Sequence, residues 1–173
     1  ARPRWLPAEI LIIDDGSTDD TDTAARSVTL ADGLNLDVHV QEHNLGKGAA
    51  TRDGFSKAAG DWVLLTDADL SAPIEELPKL EEKAATGGVA VGSRSLERRL
   101  IENRQPRLRD FMGRTFNFMI RTLGLADIGD TQCGFKLFPG DLARALAGVQ
   151  RLDGFAFDVE LLVLVRHWGV QIH

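Results

Sequence analysis

Residues 61–69 have the sequence Asp61-Trp62-Val63-Leu64-Leu65-Thr66-Asp67-Ala68-Asp69. The short apolar run in its first part predicts a buried strand over residues 61–66. Asp67 and Asp69 follow at i, i+2 spacing, so both carboxylates can reach one ion once the strand has turned into a loop. Mg²⁺ and Mn²⁺ prefer oxygen ligands, and substrate phosphates usually complete their coordination. Acidic pairs are common on protein surfaces, but this position after an apolar strand favours a metal site that neutralises a diphosphate.

The remainder of the chain alternates predicted strands with predicted helices. Apolar or alternating runs predict the strands, at 9–14, 36–40, 61–66 and 87–92, with a last strand beginning at 170–172. Helical periodicity, capping residues and an initial proline predict helices at 19–30, with Ser17 or Thr18 as the cap, and at 47–59, 73–85, 107–123 and 157–168. This alternation predicts an α/β fold with a mostly parallel sheet and right-handed crossovers.

Polar clusters follow three of the predicted strands. They are Asp14-Asp15-Gly16-Ser17, Asp67-Ala68-Asp69 and Ser93-Arg94. Ligands of such sheets bind beyond the carboxyl ends of the strands, so the three clusters are expected to converge on one edge. Asp14 and Asp15 can accept hydrogen bonds from a base N–H or from ribose hydroxyls. A turn followed by a helix cap explains the same residues, and both interpretations can hold together.

A second glycine-containing segment, Asn44-Leu45-Gly46-Lys47-Gly48, begins a predicted helix. Glycines let the backbone approach a ligand, and Lys47 can meet a phosphate there. The spacing is not that of a Walker A loop. In the later string Phe157-Asp158-Val159-Glu160, a helix-capping role is expected for Asp158.

Composition places the chain among globular domains with a core of their own. The chain has 173 residues, of which 43% are hydrophobic and 27% are charged, as in folded domains and unlike disordered or fibrous chains. No apolar run is long enough to span a bilayer, and the N-terminal residues 1–7 are not expected to be a signal peptide, because they contain no apolar stretch. The chain lacks an initiator Met, as expected of an excised piece. Its single cysteine, Cys133, rules out an internal disulfide, fits a reducing compartment and is expected to be small, buried and not a nucleophile.

The net charge of -6 is unevenly distributed. Residues 94–121 contain eight arginines against Glu97, Glu102 and Asp110, which makes that segment basic within an acidic chain. The predicted helix 107–123 has an apolar side and a basic side. A membrane-surface or anion contact and an ordinary solvated, core-packing helix explain this segment equally well.

The motifs together carry a family resemblance. The chain resembles family-2 inverting glycosyltransferases of the GT-A fold, and within them dolichyl-phosphate β-glucosyltransferases and their bacterial polyprenyl-phosphate relatives. The matching strings cover residues 12–19, 44–48, 66–69, 92–94, 130–138 and 157–160, of which Asp130-Thr131-Gln132-Cys133-Gly134-Phe135-Lys136-Leu137-Phe138 is the most specific.

The resemblance implies a role for each matching residue on the donor side. Asp14 and Asp15 match the acids that hold uracil and ribose. Asp67 and Asp69 match the metal-binding pair, in which Asp69 is the more direct ligand of Mg²⁺ or Mn²⁺. Arg94 matches a basic residue that meets phosphate.

Two further matches concern the acceptor. Lys136 matches a cation that contacts donor or lipid phosphate, and Asp130 matches an acid near the acceptor. The acceptor phosphate of this family is ionised at neutral pH and needs no strong base, so Asp130 is expected to position the acceptor or act as base.

The family also has a preceding strand with a Pro-x-x-Asn-Glu-like string, and a further strand, often with a membrane helix, at its C-terminal end. We therefore expect residues 1–173 to form a single GT-A domain that lacks the first strand and is shortened at both ends, with an incomplete nucleotide pocket.

The function implied is transfer of a hexose, with glucose favoured, from a nucleotide diphosphate sugar, with UDP-glucose favoured, to a polyprenyl or dolichyl phosphate. The protein is expected in the cytoplasm, peripheral at the cytoplasmic face of a membrane, with no nucleic-acid partner. The alternatives are a nucleotide-sugar binding domain without turnover, and a transferase that uses GDP-mannose or a soluble acceptor.

Overall fold

A computed structural model describes residues 6–93 and 124–173 of the chain. These residues form two compact units, each built from two parts of the sequence. The first unit contains residues 6–63 and 139–157, and the second contains residues 64–93, 124–138 and 158–173. The prediction of a single domain over 1–173 stays a prediction.

The first unit contains a parallel strand pair. β1 (Ala8–Asp14) pairs with β2 (Leu34–Val40) in parallel over seven residues, and α1 (Thr21–Arg26) lies between them in the chain. Because Ile12 pairs with Val38 and Asp14 with Val40, both strands end at the same level. Asp14 and the residues after it therefore lie at the carboxyl edge of this sheet.

Two helices complete the first unit. They are α2 (Lys47–Lys57) and α4 (Gly140–Val149), which pack against each other. Both helices carry small buried residues, Ala49 and Ala143, which suit close packing, and Phe55 of α2 is buried as well. This packing fixes the start of α2, where the predicted ligand segment lies.

The other sheet has three strands in the order β3-β5-β4. Its strands are β3 (Trp62–Thr66), β4 (Ala90–Val91) and β5 (Phe135–Pro139), and β4 pairs with β5 in antiparallel fashion. Residues 64–66, 90–91 and 135–138 of this sheet lie in the second unit. Because β5 is the central strand, four of its five side chains are buried.

Helices of the second unit cover this sheet region. α3 (Leu77–Ala84) follows a 3₁₀ turn at Ile74–Glu76, and α5 (Phe157–His167) lies near the C-terminus. Val159 and Leu162 of α5 form a buried cluster with Leu125. None of the helices within residues 6–93 and 124–173 is long and apolar enough to cross a membrane.

The structure confirms an α/β fold and corrects several details of it. The alternating pattern predicted a mostly parallel sheet, and it gave no indication of strand β5, which lies between β3 and β4 and pairs with β4 in antiparallel fashion. Neither β5 nor α4 was predicted. The last predicted strand is reduced to a parallel bridge between Val89 and Ile172.

The predicted cap of α1 is also wrong. Neither Ser17 nor Thr18 caps this helix, because the helix starts later, with Asp20 at its N-cap position and no side-chain cap. The Ser17 amide instead donates to Asp14, which closes a turn directly after β1. The predicted helix 107–123 and its basic face lie outside the described residues.

Candidate functional site

The turn after β1 is closed around the carboxylate of Asp14. This side chain is only 5% exposed, and its Oδ1 accepts the amide of Ser17 at 2.8 Å. Gly16 has a φ of +76°, and a Cβ there would approach the carbonyl carbon of His43 to 2.7 Å. Only glycine suits both the backbone conformation and the contact.

Asp15 connects this turn to the segment before α2. Its two carboxylate oxygens each accept one backbone amide, from Leu45 and from Gly46, both at 2.8 Å. A carboxylate that binds two amides in this way fixes the loop geometry with two charge-assisted bonds. In the structure the Asp15 carboxylate thus binds two backbone amides of the protein. Its predicted contact with a ligand stays a prediction.

The start of α2 is closed by a neighbouring loop. The amides of Gly48 and Ala49 both donate to the carbonyl oxygen of Asp153, at 2.7 and 3.2 Å. A Cβ on Gly48 would overlap the carbonyl oxygen of Leu152. The expectation that the glycines let a ligand approach is therefore wrong for Gly48, since protein backbone takes that place. Lys47, predicted to meet a phosphate, has its Nζ 6.0 Å from the centre of the Phe157 ring.

The loop after β3 holds the two predicted metal ligands. Its backbone turns at once, with the Leu70 amide donating to the carbonyl oxygen of Asp67 at 3.0 Å. Leu70 adopts a φ of +50° in this turn, an uncommon conformation for a residue with a side chain. Asp67 is half-buried, and the exposed Asp69 accepts the amide of Ser71 through Oδ1 at 2.9 Å.

Gly134 contacts both the backbone and the carboxylate of Asp67. The Asp67 amide donates to the carbonyl oxygen of Gly134 at 3.1 Å. A Cβ added to Gly134 would overlap the Asp67 carboxylate. Because residue 134 has no side chain, the Asp67 carboxylate can pack against the loop that precedes β5.

The donor atoms of this loop suit a hard divalent cation. Asp67 and Asp69 offer carboxylate oxygens only, which fits Mg²⁺ or Mn²⁺. Within the described part of the chain, no three His, Cys, Asp or Glu side chains are grouped closely enough to hold a metal by themselves. Two carboxylates alone make an incomplete coordination shell, so phosphate oxygens and water would have to complete it.

A short turn leads from Asp130 to Gly134. The Cys133 amide donates to the carbonyl oxygen of Asp130 at 3.4 Å, and the Gln132 amide donates to its Oδ1 at 3.3 Å. Asp130 is half-buried, while Cys133 is only 2% exposed. The prediction of a small, buried cysteine is confirmed.

Lys136 lies beneath this turn with no exposed surface. Its Nζ is 2.5 Å from Asp158 Oδ1 and 2.6 Å from the carbonyl oxygen of Cys133. The Asp158 carboxylate is buried against the lysine, and the capping role expected for it stays a prediction. The phosphate contact predicted for Lys136 remains untested, and in this conformation its ammonium is enclosed by protein.

Arg94 and the arginine-rich segment 94–121 lie outside the described residues. Among the residues placed, Asp14, Asp15 and Lys47 lie in the first unit, and Asp67, Asp69, Asp130 and Lys136 lie in the second. The sequence analysis missed the Lys136–Asp158 pair and the contact of Gly134 with Asp67. A signal for a buried charge was present, because Lys136 interrupts the apolar run of Phe135, Leu137 and Phe138, but this run does not identify Asp158 as the partner.

Comparison with known proteins identifies the class to which this fold and these residues belong. Residues 2–146 match the model of the family described as glycosyl transferase family 2. The match covers most of the chain, so the chain belongs to glycosyl transferase family 2.

Curated relatives make the similarity more specific. The chain is 38% identical to a dolichyl-phosphate beta-glucosyltransferase of Trichomonas vaginalis, over 95% of this chain and 50% of the relative. Enzymes of the same name from Dictyostelium discoideum and Homo sapiens are 33% and 32% identical, each over 95% of this chain and over 52% and 53% of their own lengths. The predicted resemblance is confirmed, and the chain spans about half the length of these relatives.

A solved structure supports the fold. Glucosyl-3-phosphoglycerate synthase from Mycobacterium tuberculosis, described in complex with uridine diphosphate, matches with a TM-score of 0.57 and 20% identity. The match covers 88% of this chain and 52% of that one. At this identity the likeness concerns the fold, and it agrees with the predicted GT-A architecture.

Proposed function

We propose that the protein transfers a hexose, with glucose favoured, from a nucleotide diphosphate sugar to a polyprenyl or dolichyl phosphate. UDP-glucose is the favoured donor. The observation that carries the proposal is the acidic pair Asp67 and Asp69 directly after β3, in a chain 38% identical over 95% of its length to a dolichyl-phosphate beta-glucosyltransferase.

The reaction is a single displacement at the anomeric carbon. An oxygen of the acceptor phosphate forms the new bond to this carbon, while the bond to the donor diphosphate breaks and its electron pair leaves with the diphosphate. Attack opposite the leaving group inverts the configuration. Since the acceptor oxygen is already ionised, Asp130 is assigned to positioning the acceptor, with proton removal as a minor role.

Negative charge on the departing diphosphate is the main electrostatic problem of this reaction. Asp67 and Asp69 would hold Mg²⁺ or Mn²⁺, which supplies Lewis-acid neutralisation of that charge. Both carboxylates belong to a tight turn, in which the Leu70 amide donates to the Asp67 carbonyl oxygen and the Ser71 amide donates to Asp69 Oδ1. Arg94 and Lys47 are assigned to donor phosphate, and Asp14 and Asp15 to the nucleoside.

A lipid acceptor requires the site to work at a membrane. We assign the arginine-rich segment 94–121 to contact with anionic lipid headgroups and the acceptor phosphate, at the cytoplasmic face. Liposome co-sedimentation tests this assignment by comparing wild type with the combined substitution of Arg107, Arg114 and Arg121. Loss of sedimentation in the substituted protein supports it, and the absence of membrane affinity in both proteins favours a soluble acceptor.

The central test is Asp69→Ala in the intact protein. Because metal neutralisation is worth several kcal/mol, Asp69→Ala is expected to lower transfer to polyprenyl phosphate by about 100-fold or more. Glu82→Ala is the matched control, since Glu82 is an exposed acid on α3 of the same unit. Metal-dependent transfer that is undiminished in Asp69→Ala would remove the proposal.

A donor panel decides the sugar and the nucleotide. UDP-glucose, GDP-mannose and UDP-N-acetylglucosamine are compared with one polyprenyl phosphate acceptor. Faster turnover of UDP-glucose is expected. Calorimetry with the same donors and Mn²⁺ separates binding from turnover: tight binding with no transfer would instead favour a nucleotide-sugar binding domain.

A further inference from the structure

The buried ion pair between Lys136 and Asp158 calls for an explanation in terms of function. The Lys136 side chain is 0% exposed and that of Asp158 is 7% exposed. Removing two charges from water is costly, and a buried ion pair is often no more stabilising than two apolar side chains of similar volume. Stability alone therefore explains this pair poorly.

The second hydrogen bond of Lys136 points to what the pair does. Its Nζ also donates to the carbonyl oxygen of Cys133 at 2.6 Å. Asp158 accepts from the same ammonium at 2.5 Å and thus fixes the direction of the lysine side chain. The carbonyl oxygen of Cys133 is consequently bonded to a charged donor, the Lys136 ammonium, whose orientation is set by Asp158.

Cys133 lies one residue before the glycine that contacts the acidic loop. Gly134 accepts the Asp67 amide at 3.1 Å, and its missing side chain leaves room for the Asp67 carboxylate. A shift of the Cys133–Gly134 peptide therefore moves Gly134, and with it the backbone that contacts Asp67. The same turn begins at Asp130, whose carbonyl oxygen accepts the Cys133 amide.

We propose that Lys136 and Asp158 are positioning residues, which hold the turn from Asp130 to Gly134 and through it the Asp67 carboxylate in the geometry that binds the metal–diphosphate group. This inference rests on the proposed function for its ligand. It replaces direct phosphate contact as the role of Lys136, since the ammonium is buried and bonded to two protein oxygens. The ammonium donates to Asp158 Oδ1 and to the Cys133 carbonyl oxygen.

Two substitutions in the intact protein separate positioning from mere support of the fold. Lys136→Met and Asp158→Asn both abolish the ion pair. Only Lys136→Met also removes the donor to the Cys133 carbonyl, because in Asp158→Asn the amine remains and an amide oxygen still accepts from it. A purely structural pair predicts similar effects of both substitutions, whereas positioning through Cys133 predicts a larger effect of Lys136→Met.

The first readout is the affinity for Mn²⁺ in the presence of UDP, measured by electron paramagnetic resonance and by calorimetry. Since misplacement of a site group by about 1 Å costs on the order of 100-fold, Lys136→Met is expected to weaken Mn²⁺–UDP binding by about tenfold or more. The expected change in Asp158→Asn is less than about threefold by the same reasoning. Equal losses in both variants, in proportion to their loss of thermal stability, would overturn the proposal.

The second readout uses Cys133 as a probe of the turn. This thiol is 2% exposed, so it is alkylated only when the turn opens locally. The alkylation rate, followed by mass spectrometry of the peptide that contains Cys133, is expected to rise about tenfold in Lys136→Met and little in Asp158→Asn. An unchanged rate in Lys136→Met would contradict the claim that the lysine holds this turn.

If Lys136→Met does not fold, the double variant Lys136→Met/Asp158→Leu tests whether the pair positions the site. An apolar pair of similar volume is expected to restore stability, but Mn²⁺–UDP binding should stay weak. Wild-type binding in the folded double variant would overturn the inference. If the wild-type protein itself binds no Mn²⁺–UDP, the proposed function fails, while alkylation of Cys133 still tests whether Lys136 holds the turn.

Discussion

The carboxylate of Asp67 occupies the space that a Cβ on Gly134 would need. Gly134→Ala is therefore expected to displace either the carboxylate or the turn that carries residue 134. Because displacement of a site group by about 1 Å costs on the order of 100-fold, we expect kcat/KM for sugar transfer to fall by about tenfold to 100-fold. Kinetics with varied donor and Mn²⁺ concentrations measure this effect.

Gly148→Ala is the matched control for this substitution. Gly148 lies in α4, and a Cβ there meets no atom within 4 Å. Alanine is the better helix former by up to about 1 kcal/mol, so Gly148→Ala is expected to stabilise the protein slightly and leave transfer unchanged. Wild-type kinetics in Gly134→Ala would show that Asp67 does not need its observed position.

Asp15→Asn tests the connection between the turn after β1 and the start of α2. The asparagine amide group cannot accept both the Leu45 and the Gly46 amides that Asp15 accepts at 2.8 Å. Hydrogen bonds to charged groups contribute about 1.5–3 kcal/mol, so the free energy of unfolding should fall by roughly that amount. Nucleotide affinity is expected to fall as well, because the loop that carries Lys47 loses its anchor.

Chemical denaturation and calorimetry with UDP-glucose together measure the Asp15→Asn effects. Asp20→Asn serves as control, since Asp20 is exposed and makes no side-chain cap at the start of α1. A loss of nucleotide affinity with no loss of stability would show that Asp15 acts as a direct ligand, as the family resemblance implies, and not through the loop.

Local patterns predicted much of the fold because they concern neighbours in sequence. The apolar run before Asp67 gave β3 to within one residue, and the segment from Lys47 gave α2, whose start agrees with its observed range. The acidic residues at strand ends could be located for the same reason, since a strand and the loop after it are adjacent in the chain.

Features that depend on distant residues were not predicted. Lys136 and Asp158 are 22 residues apart, and nothing in either local pattern indicates that they meet. β5 was overlooked because Lys136 breaks an apolar run that is buried on both faces, where no alternation marks a strand. The antiparallel insertion of β5 between β3 and β4 is likewise a property of chain topology, which periodicity does not encode.

Gly16→Ala tests the backbone requirement of the turn after β1. Its φ of +76° costs an alanine about 1–2 kcal/mol, and the contact of the new Cβ with the His43 carbonyl carbon at 2.7 Å adds to this. Gly169→Ala is a matched control, because Gly169 has a φ of +73° and no atom within 4 Å of its Cβ position. We expect Gly16→Ala to lower the free energy of unfolding more than Gly169→Ala, as measured by urea denaturation. Equal losses of unfolding free energy in the two variants would mean that the loop at His43 can move away from the new Cβ without destabilising the protein.

The Arg166–Asp127 pair predicts a specific pH dependence of stability. Both guanidinium NH groups bond the carboxylate, each at 2.7 Å. The hydrogen bond from Arg166 lowers the pKa of Asp127 below its usual value. The folded state therefore favours the ionised carboxylate, so the pair stabilises the protein above the unfolded pKa of about 3.9. This contribution is lost as the pH falls through the lower, folded pKa.

Asp127→Asn is accordingly expected to lower Tm by a small amount at pH 7, because the carboxylate is largely exposed and solvent weakens the pair. The difference in Tm between wild type and Asp127→Asn should shrink continuously as the pH is lowered below about 4, where the wild-type carboxyl becomes protonated. Calorimetric melting across this range measures it, with Asp32→Asn, an exposed acid of the first unit, as control. A difference that is constant with pH would mean that Asp127 acts through the shape of its side chain and not through its charge.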